Sequence, residues 1–544
     1  MHFLKLLRDE NTLDLRRLVV MVFIAGISNT AVLALVGGVT GSGSEHGHHG
    51  GYSTGIRIIV MFVLALCIYT LSQRYVMVNC AAEIERIMHR IRNRLVEAVR
   101  RCELLEVERI GRTRILNAVS KEIQILAQSA NSLVQIAPLA VLVVCGVGYM
   151  MMVSLVAFLL AAGFIVIAGT MYVVRAKRVD RAIGAASVAE YELHDLITGF
   201  IEGFKEVKLN RRRGEAVTGD VAGLSRRAGD QRLLAQVEFT HNYLFVQNIF
   251  LLLLGAMAFL VPILTSGSVS GQTLTKTVLV TLFIFGPLSG IIGVVPVLAN
   301  ANTSALRVLD LEMILARLES PLTDDGSVFS GFQEIRLENI RFRFDQPGGD
   351  QPFEVGPLDF TLRRGETLFI SGGNGSGKST MMRLLTALYQ PTSGTILVDG
   401  RPLRPEGVEA YRSLFSAVFS DYHLFRSLYG IDSDAIGEVP GLIHIFELDD
   451  KTHLDDESFT TVDLSAGQRK RLALIVAMLE RRPICVLDEW AADQDPIFRK
   501  KFYEELLPLL KKRGMTVIAV SHDDKYFGVA DRRLHMEDGR FVPL

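Results

Sequence analysis

The sequence has little cysteine: five in 544 residues, Cys67, Cys80, Cys102, Cys145 and Cys485, with no C-x-x-C or other paired spacing. That scatter argues against a zinc centre or a disulfide framework and leaves these residues as apolar packing. Net charge is nearly absent as well, at −1, which fits neither a nucleic-acid binder nor a charged disordered tail. Tryptophan occurs once, as Trp490. Charge is also missing locally. From about residue 15 to 300 there are long runs almost free of it, whereas beyond about 320 apolar and charged stretches alternate as in a soluble α/β domain. This length suggests two or three units. The division expected is a first domain over 1–318, a linker over 319–331 rich in Ser, Pro, Asp and Gly, and a second domain over 332–544.

A membrane span needs roughly 20 apolar residues, because only an internally hydrogen-bonded helix satisfies the backbone in lipid. Six stretches qualify: 15–38, 54–78, 133–153, 154–174, 243–265 and 274–299. The third and fourth are nearly continuous and require a tight turn near Ser154. Residues 83–121 and 175–232 are dense in arginine, and the N-terminus carries Lys5, Arg8, Arg16 and Arg17. The segments 39–53 and 266–275, and the turn near Ser154, carry no Lys or Arg. By the positive-inside rule both termini are cytoplasmic. The first span is too long for a cleavable signal peptide, and a second follows it. Helical apolar spacing (Ile84, Ile87, Met88, Ile91, Leu95) runs on from the second span. Two long cytoplasmic hairpins are therefore expected, with tips near Glu106–Arg112 and Asn210–Gly214. The external stretch Glu45-His46-Gly47-His48-His49-Gly50 reads as a solvated loop, with transient metal binding as the alternative. His241, Asn242, Gln247 and Asn248 enter the fifth span, where helix–helix hydrogen bonding and cargo contact are equal readings.

The second half carries chemistry. An apolar strand, Glu366–Ser371, leads into Gly372-Gly373-Asn374-Gly375-Ser376-Gly377-Lys378-Ser379-Thr380 and then a helical run. This is G-x-x-x-x-G-K-[ST] in its strand–loop–helix setting. Glycines let backbone N–H groups close around phosphate oxygens, and the helix N-terminus favours their charge. Lys378 would reach the terminal phosphates and Ser379 would ligate Mg²⁺. A second apolar strand, Ile484–Leu487, ends in Asp488 and Glu489. Asp488 sits where a cation-holding aspartate would follow such a strand and Glu489 where a general base would polarise the attacking water, a role that needs a carboxylate in line with the γ-phosphate; alone, a strand ending in acidic residues is common. A third strand, Val517–Val520, is followed by Ser521 and His522.

The deciding element is Leu464-Ser465-Ala466-Gly467-Gln468 before the basic helix start Arg469-Lys470-Arg471. It resembles the signature of ABC transporters, with alanine at one glycine position. The resemblance implies that Ser465, Ala466, Gly467 and Gln468 of one subunit close over ATP held by the other. It also implies that His522 contacts the γ-phosphate, that Phe344 stacks on adenine, and that Asp495 lies in the loop bridging the two composite sites. Where this family places a Mg²⁺-ligating glutamine, the sequence has Ser420, in Ala417-Val418-Phe419-Ser420-Asp421. Serine can still ligate the cation, with less reach. Trp490, directly after Glu489, would report nucleotide binding by its fluorescence.

Six spans followed by one such cassette resemble the exporter-type half-transporters. The fold class implied is an all-α six-helix transmembrane domain with long cytoplasmic extensions, followed by an α/β P-loop ATPase domain. The hairpin tips would be coupling helices, the second reaching the partner's cassette. One cassette holds half of each ATP site, so the expected partner is a second copy of the chain, with ATP and Mg²⁺ as cofactors, a lipid bilayer as surroundings and no nucleic acid. The runs LFSAVFSDYHLF, LSAGQRKRLAL, LDEWAADQDP and SHDDKYF look like the bacterial cyclic-peptide and siderophore exporters. That resemblance implies ATP-driven export of a peptide natural product across the inner membrane, with the ATPase domain in the cytoplasm. The alternatives are a lipid flippase, a siderophore importer built on the exporter fold, and an ATP-binding membrane sensor that moves nothing.

Overall fold

The computed structural model describes residues 2–10, 15–41, 51–264, 271–318, 332–344 and 353–543. The linker and the histidine-rich loop lie outside the described residues. The chain divides into two compact units, Met1–Arg100 with Gly111–Arg317, and Arg101–Ile110 with Leu318–Leu544. The second unit thus takes in ten residues from the first hairpin.

Among its described residues, the first unit has helix as its regular secondary structure, interrupted at a few single residues. Five helices are long and apolar enough to cross a membrane: Ile56–Arg101, Arg112–Val153, Leu155–Glu202, Arg211–Leu264 and Thr273–Arg317, and a shorter apolar stretch, Val19–Val32, lies on the helix Leu15–Gly41. Large apolar side chains face outward along them, among them Leu252 at 65% exposure, which suits a solvent of lipid tails. The helix Gly51–Arg101 has 51 residues. At 1.5 Å per residue that is about 76 Å, more than twice a bilayer's hydrocarbon thickness, so it extends well beyond one.

Helix breaks follow local chemistry. Ser154 adopts extended backbone and its hydroxyl accepts from the Ala157 N–H, capping the helix Leu155–Glu202, so a single residue makes the tight turn. Val294 interrupts the last apolar stretch between Gly271–Gly293 and Val295–Arg317. Pro296, which has no N–H to donate, falls in the first turn of the new helix, where none is required. The first hairpin turns through the short helix Leu104–Ile110, before Gly111 at φ 87°. The second turns through Phe204–Leu209, a few residues before the tip expected at 210–214. Asn210 is the reason: its side chain accepts from the Arg213 N–H and starts the returning helix Arg211–Gly255, so the arginines belong to that helix.

In the second unit an antiparallel sheet and a mostly parallel sheet pack over one apolar cluster. The first contains β1 (Glu334–Arg343), β2 (Glu354–Arg363), β4 (Ser393–Val398) and β5 (Arg401–Pro402), in the order β2-β1-β4-β5. The second contains β3 (Thr367–Gly372), β6 (Phe415–Val418), β9 (Ile484–Leu487), β10 (Thr516–Val520), β11 (Arg532–Glu537) and β12 (Arg540–Val542), in the order β12-β11-β3-β10-β9-β6. Every residue of β3, β9 and β10 is buried, as expected of strands covered on both faces. A small hairpin, β7 (Leu454–Asp455) with β8 (Ser458–Phe459), joins helices Val439–Ile445 and Ala466–Leu479 in a second apolar cluster around Trp490.

Candidate functional site

Strands β3, β10, β9 and β6 run parallel as neighbours, with Ile370 opposite Val520, Ala519 opposite Leu487, and Leu487 opposite Val418. Their carboxyl ends are therefore level. The residues that follow them are the phosphate-loop candidates, His522, Asp488 with Glu489, and Ser420. Open α/β sheets bind ligands at this edge, and strand register gathers there groups separated by up to 150 residues.

The loop after β3 is shaped by glycines. Gly372 has φ 149°, Gly375 78° and Gly377 98°. A Cβ on Gly372 would stand 2.2 Å from the Met536 carbonyl oxygen, so no larger residue fits there. Lys378 opens the helix Lys378–Leu385, and its buried Nζ donates to the carbonyls of Gly372 (3.0 Å) and Gly373 (2.8 Å). Burial lowers its pKa, opposed by the charges of Glu489 and Asp488. Asn374 is exposed and Ser376 buried, with a hydroxyl that has no hydrogen-bond partner among the described residues; Thr380 is half-buried on the helix.

The Ser379 hydroxyl donates to Asp488 Oδ2 at 2.9 Å. The other carboxylate oxygen, Oδ1, is buried and has no partner among the described residues. Leaving such a group unpaired is costly, and a divalent cation beside Ser379 would satisfy it. The Asp488 N–H donates to the Val418 carbonyl at 2.9 Å, which sets Ser420, exposed and two residues on, at the same edge. Glu489 has φ 49°, a conformation costing roughly 1–2 kcal/mol outside glycine. Lys470 holds it there by donating to the Glu489 carbonyl at 2.8 Å, and also pairs with Asp493 at 2.7 Å. The Glu489 side chain is part-exposed, with Oε1 3.3 Å from His522 Nε2. Trp490 does not face this edge. It is 1% exposed, donates its indole N–H to the Lys470 carbonyl and packs on Phe502, so its emission reports the cassette core.

The signature residues form a second group. Ser465 and Gln468 make a reciprocal capping box at the start of the helix Ala466–Leu479. A Cβ on Gly467 would stand 2.6 Å from the Asp493 carbonyl oxygen, whereas Ala466 beside it is tolerated. Gln494 donates to the Gly467 carbonyl at 3.1 Å and accepts from Arg471 at 2.9 Å. Arg471 pairs with Asp495 at 2.7 Å and lies over the Phe498 ring. Asp495 caps the helix Pro496–Lys501, and those backbone N–H bonds, with Arg471, hold its carboxyl below the usual range. Gln494, Arg471 and Lys470 were given no role from sequence, and only their contacts reveal them as the ties between signature and bridging loop. No hydrogen bond joins this group to the phosphate loop among the described residues. Phe344 lies at the end of β1, edge-on to Phe342 (4.9 Å between centroids) and to Tyr389 (6.2 Å).

Known proteins resemble both halves. Residues 355–492 match the ABC transporter family and residues 17–213 the ABC transporter transmembrane region. The ATP-binding protein SyrD of Pseudomonas syringae pv. syringae is 33% identical over 477 residues, covering 84% of this chain and 82% of that protein. The chain belongs to the ABC transporter family. It is an ATP-binding ATPase coupled to transport, as the motifs imply. A solved bacterial Atm1-family ABC exporter with ATP bound shares the transporter's fold, with TM-score 0.78 over 98% of this chain and 95% of that one at 17% identity. An ATP-dependent lipid A-core flippase from Burkholderia orbicola is 29% identical over 48% of this chain and 44% of its own length.

Proposed function

We propose that two copies of this ABC transporter form an exporter of a peptide natural product, a cyclic peptide, lipopeptide or siderophore, across the bacterial inner membrane. The observation that carries this reading is the similarity to SyrD across both domains, together with the cassette runs that resemble the cyclic-peptide exporters. Phosphate-loop amides and Lys378 hold the nucleotide phosphates, with Phe344 against the base. Ser379 and Asp488, with Ser420 at the same edge, would hold Mg²⁺, which neutralises charge on the β- and γ-phosphates. Glu489 takes the proton of the attacking water, and His522 orients it and the γ-phosphate. Ser465, Ala466, Gly467 and Gln468 of the opposite copy close the site, and Asp495 connects the two closures. Cassette closure turns the cavity outward through the hairpin tips, the second docking on the opposite copy; hydrolysis resets it. Both termini and the cassettes are cytoplasmic.

A second reading, lipid flipping, is favoured by the similarity to the lipid A-core flippase. Uptake of labelled cyclic and linear peptides into inside-out vesicles separates the two. ATP-dependent uptake by wild type and none by Glu489→Gln is expected. Active hydrolysis with no peptide uptake, but with translocation of a labelled lipid, would replace export by flipping.

A further inference from the structure

In the usual arrangement of this family a glutamine stands where this chain has Ser420, which leaves a link from that segment to the first tip to be made by other groups. Arg383 is placed to make one. It lies in the last turn of the phosphate-loop helix, five residues after Lys378, with its side chain 20% exposed. Its guanidinium is shared between two directions. Nη2 donates to Asp421 Oδ2 at 2.8 Å, and Asp421 is the residue after Ser420. Nη1 donates to the Tyr389 hydroxyl at 2.8 Å and lies 3.9 Å from Glu108 Oε1. Glu108 belongs to the tip helix Leu104–Ile110, and its Oε2 accepts from the same Tyr389 hydroxyl at 2.7 Å.

Docking of the tip alone does not require this arrangement. Arg412 already pairs with Glu103 at the start of the tip segment. Among the described residues Asp421 has no other ion-pair partner, so its segment is moored through Arg383. Tyr389 is buried, and its phenol is pushed up to about 12 by burial and then by Glu108, so it stays a donor at neutral pH. It also stacks on Phe342, 5.2 Å away, which meets Phe344 edge-on. A shift of Glu108 therefore moves a guanidinium whose other arm holds the residue beside Ser420.

We propose that Arg383 is a positioning residue that couples the first cytoplasmic tip to the ATP site, relaying Glu108 to Asp421 in place of the absent glutamine. It acts through Asp421 and does not touch the reacting atoms. The test is steady-state ATPase activity of the full-length protein in lipid nanodiscs. Arg383→Gln, Asp421→Asn and Glu108→Gln should each lower kcat about threefold to tenfold and leave KM for ATP within about twofold. The Arg383→Gln/Asp421→Asn pair should be no slower than the worse single variant, because both break one link. Asp421→Glu, which keeps the carboxylate, should retain most of the wild-type kcat. Asp421 is exposed, so its variants test the relay without disturbing a core. Unchanged kcat in Asp421→Asn, multiplicative losses in the pair, or losses confined to KM or thermal stability would overturn the proposal.

Discussion

The two units of this transporter solve opposite problems of solvent. In the cassette, β3, β9 and β10 are buried along their whole length, and polar groups collect where the strands end. In the helical unit many large apolar side chains point outward, and polar residues such as Glu122 and Asn242 are inside. Glu122 is held there by Arg307 at 3.0 Å and by the Tyr191 hydroxyl. An exposed leucine therefore means different things in the two units: an ordinary surface residue in the cassette, and along the membrane-spanning stretches a side chain suited to lipid.

Substitutions can break or sharpen that contrast. The largest effect belongs to the cassette's chemistry: Glu489→Gln should lower kcat on the order of 10²–10⁴-fold while nucleotide binding persists, read by ATPase assay beside fluorescent-nucleotide binding. Next is the lipid-facing surface, where Leu252→Arg should cost about 3–4 kcal/mol of insertion free energy. Its measure is the fraction of protein resisting alkaline extraction from membranes, and an unchanged fraction would mean Leu252 meets protein or water. Gly467→Ala should cost about 1–3 kcal/mol, because its Cβ would collide with the Asp493 carbonyl oxygen, and should lower ATPase activity as the signature shifts. Equal activity would show that the bridging loop gives way freely. The smallest effect is at the cassette surface, where Tyr429, 76% exposed, should cost about 1 kcal/mol or less as Tyr429→Ser in a melting experiment.

Periodicity, charge and motif order in the sequence were enough to determine the helical half, the α/β cassette, the glycine loop between β3 and its helix, and the placing of Asp488 and Glu489 at the end of β9. Each of these is a local property: a long apolar run, an arginine-dense segment, a glycine loop between strand and helix. Single residues were legible where backbone chemistry is local too, as at Ser154. What lay beyond reach depended on contacts between distant segments. The second tip was expected near Asn210–Gly214 and turns through Phe204–Leu209, because a side-chain cap by Asn210 decides which helix owns the arginines. Trp490 reads as part of the site by adjacency, yet the left-handed backbone at Glu489 turns the indole into the core. The Ser379–Asp488 bond, the Lys470 hold on Glu489, and the shared guanidinium of Arg383 join residues 19 to 275 positions apart. Only the parallel register of β3, β10, β9 and β6, and the docking of Leu104–Ile110 with the cassette, bring them together. A hydrogen bond or ion pair depends on distance in space, and sequence spacing carries that information only within a few residues along one element.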